Sequence, residues 1–117
     1  MNLEYIRSFC LQLPYVTEGV KWENDLCFMI TEKMFCVTGL NEPFSCSFKC
    51  SDDDFSKLIE IQGVIPAPYM ARNKWVNVQQ PAALTESEWS HYIESSYLLI
   101  RSKLPKKVQL SLGSTSL

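Results

Sequence analysis

The stretch Phe44-Ser45-Cys46-Ser47-Phe48-Lys49-Cys50 decides the fold. Apolar and polar side chains alternate through it without a break. Successive residues of a strand point to opposite sides, so Phe44, Cys46, Phe48 and Cys50 share one face and Ser45, Ser47 and Lys49 the other. One apolar and one polar face mark an antiparallel sheet that is packed on a single side. On this reading Lys49 points to solvent from an open sheet face.

Upstream, the chain reads as a run of hairpins. Asn41-Glu42-Pro43 is a turn, and Met34–Gly39 is the strand before it. Thr31-Glu32-Lys33 makes a tight turn back to a strand from Leu26 to Ile30. Glu23-Asn24-Asp25 turns again to a strand that ends at Trp22. Further back, Leu3, Ile6, Phe9, Cys10 and Leu13 recur at helical spacing behind Asn2 as cap, and Pro14 ends that helix.

Downstream, Ser51 caps a second helix whose first turn holds Asp52, Asp53 and Asp54, where carboxylates suit the positive end of the helix dipole. Phe55, Leu58 and Ile59 are its expected buried face, and Gly63 releases it. Val64 to Ala71, with Pro66 and Pro68, reads as a loop or a single helical turn. Lys74 to Gln79 reads as a fifth strand. Thr85 and Glu88 form a capping box for a last helix, with Trp89, Tyr92, Ile93, Ser96, Tyr97, Ile100 and Leu104 as its stripe. Pro105 stops it, and a frayed tail is expected after a basic start. The result is an α+β fold of order α-β-β-β-β-α-β-α, an antiparallel sheet with helices on one face. The expected domain covers residues 1–110, with 111–117 as a short tail.

The bulk properties fit this class. A chain of 117 residues, 46% of them hydrophobic, builds one core without staples. A net charge of −2 means that any anion-binding site must be a local patch. Five cysteines without a C-x-x-C pair, beside a single histidine, give no zinc spacing. They read as buried thiols used as small apolar residues, which implies a reducing compartment and a cytoplasmic protein. The N-terminal stretch lacks the pattern of a signal peptide, and no apolar run is long enough to span a bilayer.

Catalytic signatures are missing from the sequence. There is no G-x-S-x-G, P-loop or G-x-G-x-x-G. His91 lies off the stripe of its helix, which leaves a nucleophile without a base. The acidic triplet 52–54 is consecutive, so its side chains diverge and do not form an oxygen cage for a metal ion. No catalytic residue, metal site or cofactor is assigned, and the chain is read as a non-enzyme.

Two basic clusters remain. The segment from Ala67 to Pro81 contains Arg72 and Lys74 and no acid. If residues 73–79 are extended, Asn73, Trp75, Asn77 and Gln79 share a face that offers an aromatic and amides to nucleic-acid bases. The competing reading is an amphipathic edge strand whose Trp75 closes the core. The second cluster is Arg101, Lys103, Lys106 and Lys107, a local charge of +4 with no acid after Glu94. The helix dipole accounts for its first two members and less well for Lys106 and Lys107. Lys33, at a hairpin, and Lys49, on the open face, can join either cluster.

The order of blocks "LEYIRSFCLQLPYVTEGVKW", "NDLCFMITEKMFCV", "FSCSFKCSDDDFSKL", "PAPYMARNKWVNV" and "SYLLIRSKLPKKVQ" resembles the MmcQ/YjbR-like family, small bacterial proteins grouped under a domain of unknown function. The resemblance runs from Leu3 to about Leu110. It implies a CyaY-like, or frataxin-like, fold and a double-wing mode of DNA binding through β-hairpins. Carried over by position, Arg72, Lys74 and Trp75, with Asn73 and Asn77, fall in a late strand-and-loop motif. Lys103, Lys106 and Lys107 fall in the closing L-P-K-K block, and Lys33 and Lys49 in the hairpin region. Many relatives have histidine where this chain has Lys74, so imidazole chemistry is not implied here. Iron handling of the frataxin kind wants a carboxylate ridge, and Glu4 is the sole acid of the first helix. The expected partner is double-stranded DNA. The alternative is a protein partner on the open sheet face, with an exposed apolar patch around Trp22 or Trp75.

Overall fold

The structure, a computed structural model, describes residues 1–112. Helix α1 (Leu3–Gln12) starts where the Asn2 side chain accepts the Tyr5 amide at 2.9 Å. Strands β1 (Val16–Lys21), β2 (Asp25–Ile30), β3 (Lys33–Gly39) and β4 (Cys46–Lys49) follow as antiparallel neighbours. Helix α2 (Asp52–Leu58) leads to β5 (Val64–Pro66) and β6 (Trp75–Val78), and the chain closes with α3 (Glu86–Ser102) and α4 (Lys106–Leu112). The strands form one six-stranded sheet of order β1-β2-β3-β4-β6-β5. Every pairing in it is antiparallel.

The architecture is the expected α+β one, with two elements added. Val64–Pro66, expected as a loop, is an edge strand paired with β6. An edge position tolerates Pro66, whose missing N–H would break the ladder of a central strand. The segment after Pro105, expected as a frayed tail, forms α4 and reaches Leu112, past the expected domain limit at 110. Gln109 holds it by donating Nε2 to the carbonyls of Leu104, at 2.7 Å, and Ser102, at 3.2 Å. The rest of the expected tail, 113–117, lies outside the described residues. In α2 the helix ends at Leu58, so Ile59 is its cap and is 37% exposed, not part of the buried face.

The β2–β3 turn has Thr31 and Glu32 both in the left-handed region, at φ 44° and 68°. This is the type I′ turn, one of the two whose backbone twist matches that of the strands it joins. Packing of the hairpin overrides the preference of both residues for negative φ.

The core lies between the sheet and the helices. Phe28, Phe35, Cys36, Cys46, Phe48, Val76 and Val78 from the sheet meet Ile6 and Cys10 of α1, Leu58 of α2 and Trp89, Ile93 and Tyr97 of α3. Phe44, Cys46, Phe48 and Cys50 all face this core, as the alternation predicts. The stripe of α3 is the expected one, capped by reciprocal bonds between Thr85 and Glu88. Its one small polar member, Ser96, is fully buried: the hydroxyl donates to the Phe35 carbonyl at 2.6 Å and accepts the Lys49 amide at 3.0 Å. One side chain thereby ties α3 to β3 and β4.

Candidate functional site

Two regions of the molecule hold the residues that the sequence singles out: one end of the sheet, and the sheet face that carries no helix.

Pairing defines the first. Cys36 of β3 stands opposite Phe48 of β4, and Lys49 stands opposite Trp75 of β6. The start of β3, the end of β4 and the start of β6 therefore lie at the same end. Lys33 opens β3 and is exposed. Arg72 is exposed on a 3₁₀ turn, Ala71–Asn73, just before β6. The C-terminus of α3 reaches this end too, since the charge of Lys103 acts on Lys49. Lys103, Lys106 and Lys107 are all exposed. Glu32 and the N-terminal acids of α2, Asp52, Asp53 and Asp54, belong to the same end and offset part of its charge.

Other cations expected here are already engaged. Lys49 does not point to solvent: it is 8% exposed, and its Nζ donates to the Asn73 carbonyl. Burial, and then the charge of Lys103, pull its ammonium below the ordinary lysine value. The alternation puts Lys49 on the helix-free face, but at the end of β4 the 3₁₀ turn supplies it with a carbonyl. Lys74 is left-handed, at φ 62°, and its Nζ lies 5.0 Å from the centre of the Phe55 ring, a cation–π contact that ties the loop to α2. Arg101 is 6% exposed, 5.6 Å over the Tyr15 ring, and donates to the Tyr97 hydroxyl at 3.0 Å; it belongs to the interior and not to the C-terminal basic cluster.

The expected nucleic-acid face of β6 is not formed as a surface. Asn73 lies on the 3₁₀ turn and Gln79 beyond the strand, so only Trp75 and Asn77 share the face. Trp75 is 5% exposed. It is buried, as the competing reading has it, but β6 is not an edge strand, since it pairs with β4 on one side and β5 on the other, and Trp75 stands opposite Lys49, outside the main core cluster.

The second region is the helix-free face. Asn77 of β6 pairs with Ser47 of β4, and its Nδ2 donates to both Ser45 Oγ and Ser47 Oγ at 2.8 Å. Along β3, Met34 and Val37 fall on the same side. Over them lies a cavity of about 670 Å³. Trp22, from the β1–β2 turn, and Tyr69 and Met70, from the loop before β6, supply its walls. Asp25 is its one charged lining residue. The polar floor was legible as the Ser45/Ser47 alternation. Tyr69 and Met70 were hidden in a proline-flanked loop that shows no period.

The cysteines hold no site among the described residues. All five are free and buried. Cys36 and Cys46 bring their sulfurs to 3.7 Å inside the core, near Cys10. Burial pushes the Cys10 thiol up, and burial pushes that of Cys50 up to about 11, so both remain unreactive thiols. No cluster of histidine, cysteine and carboxylate that could hold a metal ion is present among the described residues. No helix among them is long and apolar enough to cross a membrane.

A family model described as YjbR matches residues 11–99. Among solved structures, the Deinococcus radiodurans protein DR2400, described as a DUF419 domain, superposes with a TM-score of 0.89 at 23% identity, over 99% of this chain and 91% of that one. A Pseudomonas syringae protein superposes with a TM-score of 0.69 at 20% identity, over 85% of this chain and 98% of the other. At such identities these likenesses establish the fold. No curated protein matches the chain.

Proposed function

The chain belongs to the YjbR family, and from that membership we propose that it is a non-catalytic DNA-binding protein that holds duplex DNA through the basic end of its sheet. The observation that carries this reading is the set of exposed cations at this end, Lys33 at the hairpin, Arg72 on the 3₁₀ turn and Lys103 at the cap of α3, with Lys106 and Lys107 exposed at the start of α4 that follows it. Side chains of this type neutralise phosphates and release counterions, which supplies affinity without sequence preference. Trp75, Asn77 and Lys49 are buried and take no direct part, and Lys74 and Asn73 shape the turn that presents Arg72. Glu32 and the acids of α2 limit the field, so the complex is weak and strongly dependent on salt. Five reduced, buried thiols suit a cytoplasmic place of action.

Fluorescence anisotropy with a labelled duplex across a salt series tests this. Five phosphate contacts give a slope of log K against log salt of about −4.5, and Lys106→Ala with Lys107→Ala makes it shallower by about 2. The absence of binding at low salt, or an unchanged slope in an Arg72→Ala, Lys103→Ala variant, would overturn the reading.

A further inference from the structure

We infer that the cavity on the helix-free sheet face is a binding site for a small, flat aromatic molecule that carries an N–H donor, with amidines and aromatic amines as the favoured class. Its volume, about 670 Å³, lies within the range of pockets that enclose small organic ligands. Most of its wall is apolar and deformable: Met34 and Met70 bring thioethers, and Trp22 and Tyr69 bring rings. Thioethers and ring faces favour a flat aromatic guest.

Its polar groups set the orientation and charge of that guest. Asn77 spends its amide N–H groups on Ser45 and Ser47, at 2.8 Å each, which leaves Oδ1 as an acceptor with no partner among the described residues. The Asp25 carboxylate is a second acceptor, and no cation lines the cavity. Lys21 stands opposite Asp25 in the β1–β2 register but lies outside the lining. A site with two acceptors and a single negative charge complements a donor and repels a carboxylate.

Trp22 and Tyr69 come from loops far apart in sequence and flank the same cavity, and both rings are exposed, Trp22 at 64% and Tyr69 at 105%.

The test uses the whole chain and three probes of one shape: naphthalene-2-carboxamidine, the corresponding carboxamide and the carboxylate. Two-dimensional NMR follows the Trp22 indole N–H and the Asn77 side-chain amide. The amidine is expected to shift both signals saturably, the carboxamide to bind more weakly, and the carboxylate to leave them unmoved. Trp22→Ala, which removes an exposed ring and leaves the core intact, is expected to weaken the amidine about tenfold. Asp25→Asn is expected to reduce the amidine to the affinity of the carboxamide. The inference is overturned if no probe moves these signals, if the carboxylate binds as well as the amidine, or if Trp22→Ala binds unchanged. The salt-dependent DNA titration reads other residues, the exposed cations Lys33, Arg72, Lys103, Lys106 and Lys107, none of which lines the cavity, so either reading can fail while the other stands.

Discussion

On the helix side of β4, Phe48 meets Trp89 edge to face with ring centroids 6.3 Å apart; one residue earlier on the same strand, Ser47 accepts the amide of Asn77 at 2.8 Å. The strand is common to both environments. On the first side large apolar side chains interlock and leave no exposed surface, and dispersion and water exclusion stabilise the contact. On the second, short hydroxyls and one amide satisfy each other beneath a cavity, and the stability gained from burial is small. A sheet face left uncovered in this way is available to a ligand, whereas the covered face is committed to the fold.

Core truncation is the strongest challenge to this contrast. Phe48→Ala is expected to cost about 3–5 kcal/mol in urea unfolding, the range for a large buried ring, while Met34→Ala on the other side costs well under half of that. Equal costs would mean that the second face is packed and not open. Ser96→Ala comes next, at about 2–3 kcal/mol, because it strips a partner from both the Lys49 amide and the Phe35 carbonyl inside the core. Near-neutral behaviour would show that the tie between α3 and the sheet is dispensable.

The smallest effect concerns Lys49, at the boundary of the two regions. Its folded pKa lies below the ordinary value of 10.5 because of burial and then Lys103. A lysine with a depressed folded pKa holds fewer protons folded than unfolded in the window between the two values. Stability from this group therefore rises with pH through that window. Wild type should gain on Lys49→Met as pH rises toward 10.5, as followed by paired unfolding curves. A difference independent of pH would place Lys49 in water.

The likeness between the sequence reading and the structure is greatest where a local period repeats. The alternation from Phe44 to Cys50 and the stripe from Trp89 to Leu104 were legible because each is imposed by the geometry of one element. Lys49 broke the rule: its side of the strand was readable, but the carbonyl of Asn73 that receives it comes from a turn 24 residues away. Arg101 departed for the same reason: Tyr97 lies one turn back on its own helix, but Tyr15, whose ring covers the guanidinium, comes from the segment after α1. Of the cavity walls only Trp22 left a trace, as an expected exposed aromatic on the open face; Tyr69 is brought beside it by strand order and not by spacing.

By itself the sequence determined the types of the periodic elements, the apolar side of most of them and the family to which the chain belongs, since these follow from short-range periodicity and from blocks in a set order; it missed β5 and α4, which lack such a period. Only the tertiary structure decided which cations stay in water, which face of the sheet remains uncovered and what surrounds it. The physical reason is the same in each case: charge and burial at a position depend on what a distant segment places beside it, and strand pairing across the sheet makes that choice.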